Sequence, residues 1–220
     1  MSEELRTFAI GFCGGSGIAY GIRLVSVLLR AGHTVHLAAT SASLRVMRHE
    51  AKIDIDQQKP DLAALFPPEL RARLFVHDLA AVEATPSSGS ARLAATVLIP
   101  CSMGTLARVA HGFSSNLVER MADVAIKEGR PLVVVPRETP LSVIHLQNML
   151  TLARAGAILL PAMPGFYHRP QSVQDLVDFV VGKVLDRLSV EHSLLPRWST
   201  PQGDNSAAPG SQWDEGEERS

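Results

Sequence analysis

Five short segments of the chain carry residue types that do chemistry together. Gly14-Gly15-Ser16-Gly17 can present backbone N–H groups and one hydroxyl to a phosphate at the start of a helix. Taken alone, it is equally a tight strand-to-helix turn. Tyr20 stands where a dinucleotide fingerprint needs its last glycine, and Ala39-Thr40-Ser41 offers no acid for a ribose, so a mononucleotide fits better than NAD. Ile18 occupies the position where a nucleophile elbow needs glycine. Ser102-Met103-Gly104-Thr105 adds hydroxyls and N–H groups at a second helix start; N-capping accounts for Ser102 but not for Gly and Thr together. Arg137-Glu138 follows an apolar run directly and precedes a predicted helix, where a carboxylate is either held by the helix dipole or poised as an acid/base.

Other candidates carry plainer readings. Arg120 and Lys127 share a face of one predicted helix with Asp123 between them, and the spacing alone favours a solvated, salt-bridged face. Phe166-Tyr167-His168-Arg169-Pro170 can line an apolar ligand and reach a phosphate with the tyrosine hydroxyl, or simply anchor a loop. Asp175 reads as part of a helix cap and, with Asp178, makes no DDxxD pattern, so no metal is expected. His145 is expected to be a packed core histidine, and Cys13 and Cys101 small buried fillers.

The elements that must position these residues alternate regularly. Apolar runs at 7–13, 34–39, 74–77, 96–99, 132–135 and 157–160 read as strands. Amphipathic stretches at 18–30, 41–50, 102–111, 117–128, 139–156 and 172–188 read as helices. Asn116 and Glu119 fit a capping box, and Thr139-Pro140 a helix start with proline in the first turn. Residues 51–72 read as a loop with short helical pieces. The alternation predicts an α/β fold: a Rossmann-like, three-layer α/β/α domain of the flavodoxin-like type, with a mostly parallel sheet and its ligand beyond the carboxyl ends of the strands.

Composition agrees. The 220 residues are 46% hydrophobic and 20% charged, enough for a buried core, and only 5% aromatic, so that core is aliphatic. The net charge of −1 conceals an acidic stretch: Asp204, Asp214, Glu215, Glu217 and Glu218 against Arg219 after position 198 leave the rest of the chain mildly basic. The expected organisation is one domain over 1–198 and a disordered acidic tail over 199–220. The basic excess is too scattered for nucleic acid. No apolar run reaches the length of about 18 residues a membrane span needs, and two cysteines without a pairing pattern suit a reduced, cytoplasmic setting.

In this order, Gly14-Gly15-Ser16-Gly17, Pro100-Cys101-Ser102-Met103-Gly104-Thr105-Leu106-Ala107, Asn116-Leu117-Val118-Glu119-Arg120, Pro136-Arg137-Glu138-Thr139-Pro140-Leu141 and Pro164-Gly165-Phe166-Tyr167, with Leu195-Pro196-Arg197-Trp198 at the end, resemble the UbiX-type flavin prenyltransferases. The resemblance covers about residues 6–198. It implies a metal-independent transfer of a dimethylallyl group from dimethylallyl monophosphate to reduced FMN, at N5 and then C6. The product, prenylated FMN, would pass to a UbiD-type decarboxylase. It implies that Gly14, Gly15, Ser16, Thr40, Ser102, Met103, Gly104, Thr105 and Arg137 hold FMN. Arg120, Lys127, Tyr167 and Lys183 would hold the donor phosphate. Glu138 would act as base, Glu50 would sit near the dimethylallyl group, and Ser16 near flavin N5. It further implies a dodecamer with sites shared between subunits. Gly15 replaces the usual Ala, Thr40 a common Ser, and Lys183 the usual Arg, which leaves no two-pronged phosphate grip at that position. A relative's activity, direct FMN-dependent decarboxylation of a small or aromatic acid, is the alternative.

Overall fold

The computed structural model describes residues 4–53, 56 and 60–195. The stretch 199–220, expected to be a disordered tail, lies outside the described residues, as do Pro196, Arg197 and Trp198.

Six strands form one sheet: β1 (Thr7–Phe12), β2 (Thr34–Ala39), β3 (Leu74–Val76), β4 (Ala95–Cys101), β5 (Leu132–Pro136) and β6 (Ile158–Leu159), in the order β3-β2-β1-β4-β5-β6. Every pairing is parallel, with Ile10 opposite both Leu37 and Val97. This is the doubly wound order, with its reversal point between β1 and β4. Parallel strands covered on both sides read as near-continuous apolar runs, and β4 and β5 are buried along their whole length.

The period-two alternation of a strand sorts side chains into two cores. Phe8, Ile10, Phe12, Val97, Ile99, Val133 and Val135 face one side; Ala9, Leu98, Leu132 and Val134 face the other. Helices α1 (Ile18–Arg30), α2 (Ser41–Glu50) and α6 (Val173–Arg187) close the first core. Helices α3 (Met103–Ala110), α4 (Leu117–Lys127) and α5 (Val143–Arg154) close the second. Two 3-10 turns, Leu62–Leu65 and Pro68–Arg73, are the short helical pieces of the long loop.

Three local expectations change. The helix expected from Thr139 starts at Val143, because Ser142 supplies the cap while the Thr139 hydroxyl donates to the Glu138 carbonyl. His145 is not a core residue: its Nδ1 accepts the Ser142 N–H and its own N–H donates to the Ser142 hydroxyl, closing a capping box. In α4 the box stays half closed. Asn116 accepts the Glu119 N–H, but the Glu119 carboxylate turns to the Ser115 N–H and to the Arg108 guanidinium.

Candidate functional site

At the reversal point the chain leaves β1 toward one helical layer and β4 toward the other, opening a crevice at the carboxyl edge of the sheet. The glycine turn is wedged into it. A Cβ on Gly14 would lie 2.4 Å from the Ala42 Cβ, and one on Gly15 would lie 3.3 Å from the Cys101 carbonyl. The turn therefore packs against the start of α2 on one side and the β4–α3 junction on the other. Beneath it, Cys13 and Cys101 are fully buried, as expected of fillers. Contact with the Cys13 thiol, and then burial, push the Cys101 thiol upward in pKa.

Helix α1 has no side-chain cap of its own, since Gly17 sits at its N-terminus with φ +95°. Glu50, the last residue of α2, supplies one from 33 positions away. Its Oε2 accepts the N–H groups of Gly17 at 2.8 Å and Ile18 at 3.3 Å. Burial alone would raise the Glu50 pKa. The Ser16 hydroxyl, these two N–H groups and the charge of Arg137 together hold it below the ordinary carboxylate value. The Gly17 end of the anion-binding turn is thus taken by the protein's own carboxylate, leaving the backbone of Gly14, Gly15 and Ser16 on the crevice. Tyr20 completes this cluster. Its ring lies against Gly17, where a Cβ would meet it at 2.7 Å; burial raises the phenol pKa and the Arg137 charge opposes that rise.

Across the crevice, the Ser102 hydroxyl accepts the Thr105 N–H and donates to the Thr105 hydroxyl at 3.1 Å. The first N–H groups of α3, at Met103 and Gly104, have no partner within a helix. A Cβ on Gly104 would meet nothing within 4 Å, so the backbone there is open to a ligand. Two hydroxyls, an open glycine and a helix start fit the phosphate of a flavin mononucleotide. Thr40 lies on the neighbouring strand end, its hydroxyl accepting the Ser43 N–H and its N–H donating to Phe12. The Arg137 N–H donates to the Cys101 carbonyl at 3.2 Å, which places the Arg137-Glu138 pair on the same edge. Both side chains are exposed, and Glu138 Oε1 accepts the Thr139 N–H at 3.1 Å.

The four expected donor-phosphate residues divide into two groups. Tyr167 and Lys183 meet at Phe179: the Tyr167 ring stands edge-on to it at 5.6 Å, and the Lys183 ammonium lies 5.9 Å from its centroid. Phe179 and Lys183 also line a cavity of 430 Å³ beside β6, together with Pro161 and Met163. Arg120 and Lys127 lie in the opposite helical layer. Arg120 pairs with Asp123 at 2.8 Å and Lys127 with Glu128 at 2.7 Å. Lys127 ends α4, seven residues and about 10 Å of helix beyond Arg120, toward the edge where β5 begins. A single chain does not gather all four. Asp175 caps α6 through the Ser172 and Gln171 N–H groups, as expected, and Asp178 pairs with Arg23 at 2.7 Å. Sequence reasoning missed Tyr20 and Phe179. Only their neighbourhood, a glycine turn for one and an apolar helix face for the other, hinted at them.

Comparison with known proteins is consistent across sequence and structure. A family model described as Flavoprotein matches residues 1–185. A flavin prenyltransferase UbiX of Alkalihalophilus pseudofirmus is 50% identical over 199 residues, 90% of this chain and 99% of that protein. The crystal structure of AnUbiX in complex with FMN and dimethylallyl pyrophosphate superposes with a TM-score of 0.78 at 36% identity, covering 89% of this chain and 98% of that one. A dodecameric FMN-dependent UbiX-like decarboxylase from Escherichia coli O157:H7 superposes with a TM-score of 0.77 at 38% identity, over 88% and 99%.

Proposed function

The chain belongs to the UbiX flavin prenyltransferases of the flavoprotein family, and from that membership we propose that it moves a dimethylallyl group from dimethylallyl phosphate onto reduced FMN to give prenylated FMN. The observation that carries this reading is the crevice itself. Gly14, Gly15, Ser16, Ser102, Gly104, Thr105 and Arg137 line one edge at the strand reversal, with the ionised Glu50 and the exposed Glu138 beside them. Bound there, reduced FMN supplies N5 and C6 as nucleophilic atoms.

The protein's residues divide the remaining work. Met103, Gly104 and Thr105 bind the flavin phosphate with the N-terminus of α3, and Thr40 and Arg137 flank it. Ser16, whose hydroxyl helps lower the Glu50 pKa, stands beside that carboxylate and near N5. The departing phosphate takes the electron pair of the allylic C–O bond, and fixed cations and hydrogen-bond donors lower the barrier to that departure. Tyr167 and Lys183 supply this from one subunit. Arg120 and Lys127 supply it from a neighbour, which explains why one chain does not gather them. Glu138 removes the proton released on ring closure, at its carboxylate. The Glu50 carboxylate faces the dimethylallyl group and steadies positive charge there.

Assembly follows from the same reading. Helix α5 exposes Val143, Ile144, Leu146 and Leu150, each at least half accessible, and the loop after β6 exposes Met163 and Phe166. An apolar surface of that extent marks an interface, and a dodecamer with shared sites covers it. The product's recipient is a UbiD-type decarboxylase. Two buried, unbridged thiols suit the cytoplasm, and no helix among the described residues is long and apolar enough to cross a membrane.

The test is anaerobic incubation with reduced FMN and dimethylallyl monophosphate, followed by mass spectrometry. The expected product is FMN carrying one added C5 unit, and its absence beside a competent control enzyme overturns the reading. The E. coli neighbour's decarboxylase name keeps a second reading, direct FMN-dependent decarboxylation. Carbon dioxide released from an aromatic acid by the protein with FMN alone supports that one instead.

A further inference from the structure

Both cavity-lining elements of the donor-phosphate end converge on a residue with no assigned role, His168. Its imidazole lies flat on Phe179, with ring centroids 5.3 Å apart and planes 9° from parallel. It meets the Tyr167 ring edge-on at 5.8 Å and 77°. Tyr167 in turn stands edge-on to Phe179. Three rings therefore form a closed cluster, and the Lys183 ammonium lies against the central one. The loop is pressed tightly onto them: a Cβ on Gly165 would approach the Tyr167 ring to 2.7 Å and the Phe179 ring to 3.0 Å.

The two ring nitrogens of His168 decide what the imidazole does. Both are buried, and neither has a hydrogen-bond partner among the described residues. Buried imidazole nitrogens are ordinarily hydrogen-bonded, because leaving them unmade is costly. The Asp175 carboxylate and the imidazole interact through space, without a hydrogen bond between them. Here the ring is used for its faces and edge.

We propose that His168 is a positioning residue for the donor phosphate: it serves as a flat aromatic plate that locks Phe179, and through Phe179 fixes the directions of the Tyr167 hydroxyl and the Lys183 ammonium. The need for such a plate follows from the exposure of the pair. Tyr167 is 67% exposed, and a lysine holds a phosphate as a point charge on a flexible stem. No hydrogen bond among the described residues sets the Tyr167 hydroxyl, and Lys183 has only a loose ion pair with Asp186 at 3.7 Å. The ring cluster removes that freedom before the donor arrives, which lowers the ordering cost of binding. This rests on the proposed roles of Tyr167 and Lys183.

The experiment compares His168→Ala and His168→Phe with the parent, and uses Tyr167→Phe and Lys183→Ala as markers of the underlying reading. Steady-state kinetics with dimethylallyl monophosphate are joined by calorimetric titration of that donor into the protein. Loss of one stacked ring contact predicts that His168→Ala raises KM and the calorimetric Kd about three- to tenfold with kcat nearly unchanged. His168→Phe, which keeps the plate and deletes both nitrogens, returns both values to those of the parent and leaves the pH profile unaltered. If His168→Phe is as impaired as His168→Ala, the ring acts through its nitrogens and the proposal is overturned. It is equally overturned if Lys183→Ala weakens the donor while His168→Ala does not. If Lys183→Ala and Tyr167→Phe both leave donor binding unchanged, it is the phosphate assignment that fails, and the positioning role falls with it.

Discussion

Glu50 offers the sharpest test of how the crevice is built. Replacing it by glutamine keeps the shape and one acceptor oxygen but removes the charge. Two effects are lost. A carboxylate at a helix N-terminus is worth about 1 kcal/mol against the helix dipole. Its hydrogen bonds from Gly17 and Ile18, at 2.8 and 3.3 Å, become bonds to a neutral acceptor, a loss of about 1 kcal/mol more. The side chain is exposed, so solvent screening roughly halves the sum, to about 1 kcal/mol. In a domain of this size that lowers Tm by about 2–4 °C, and Glu50→Ala, which removes every contact, by about twice as much. The pH dependence has a definite sign. The folded Glu50 pKa lies below the unfolded value of 4.5, so its stabilisation is complete above that value and disappears as pH falls through the lower, folded one. Thermal unfolding of the flavin-free protein near neutrality and in acid reads both effects. The parent and Glu50→Gln should differ near pH 7 and converge well below pH about 4. Equal Tm values at neutral pH, or a gap that persists undiminished in acid, would show that Glu50 does not cap α1.

Two further outcomes follow from the same geometry. Gly14→Ala should destabilise by about 1–3 kcal/mol, because its Cβ collides with Ala42. Gly15→Ala, with contacts of 3.3 Å and no positive φ, should stay within about 1 kcal/mol of the parent and retain FMN, measured by flavin fluorescence titration. On the far side of the sheet, His36 Nδ1 lies 2.8 Å from His77 Nε2 beneath Phe75, and burial, then the neighbouring imidazole, lower the His36 pKa from 6.5 to about 4. The unfolded chain takes up this proton first, so stability is full above 6.5 and declines as pH falls from there toward the folded value. The loss is about 2 kcal/mol between pH about 7.5 and about 5. Urea titrations at the two pH values should show that loss in the parent and a smaller one in His36→Gln, where burial still lowers the His77 pKa. An unchanged pH dependence in the variant counts against the pair.

The sequence by itself determined the elements and most of the crevice. All six strands lie where apolar runs end in turn residues; for β1, β2, β4 and β5 this is because burial on both faces of a parallel sheet leaves a purely local signature, while the edge strands β3 and β6 are only partly covered. Gly14-Gly15-Ser16, Thr40, Ser102-Met103-Gly104-Thr105 and Arg137-Glu138 were legible for a related reason. They sit immediately after strands, and strand ends of a parallel sheet share one edge whatever the order of the strands. Thr139 misled because two hydroxyls, Thr139 and Ser142, compete to cap α5, and only their actual hydrogen bonds separate them.

Tertiary structure decided what meets what. Glu50 reaches α1 only because α2 runs back across the glycine turn, and no local pattern links residues 33 positions apart. Tyr167, His168, Phe179 and Lys183 come together because the loop after β6 folds onto α6, whose own periodicity records only which side is apolar. Arg120 and Lys127 share a helix face, as their spacing required, but the crossover after β4 puts that helix in the layer opposite Lys183. Spacing fixes neighbours within an element, where geometry repeats every 3.6 or two residues. The partners that make a site are set by side-chain direction and by which layer each connection enters, and those are properties of the packed molecule.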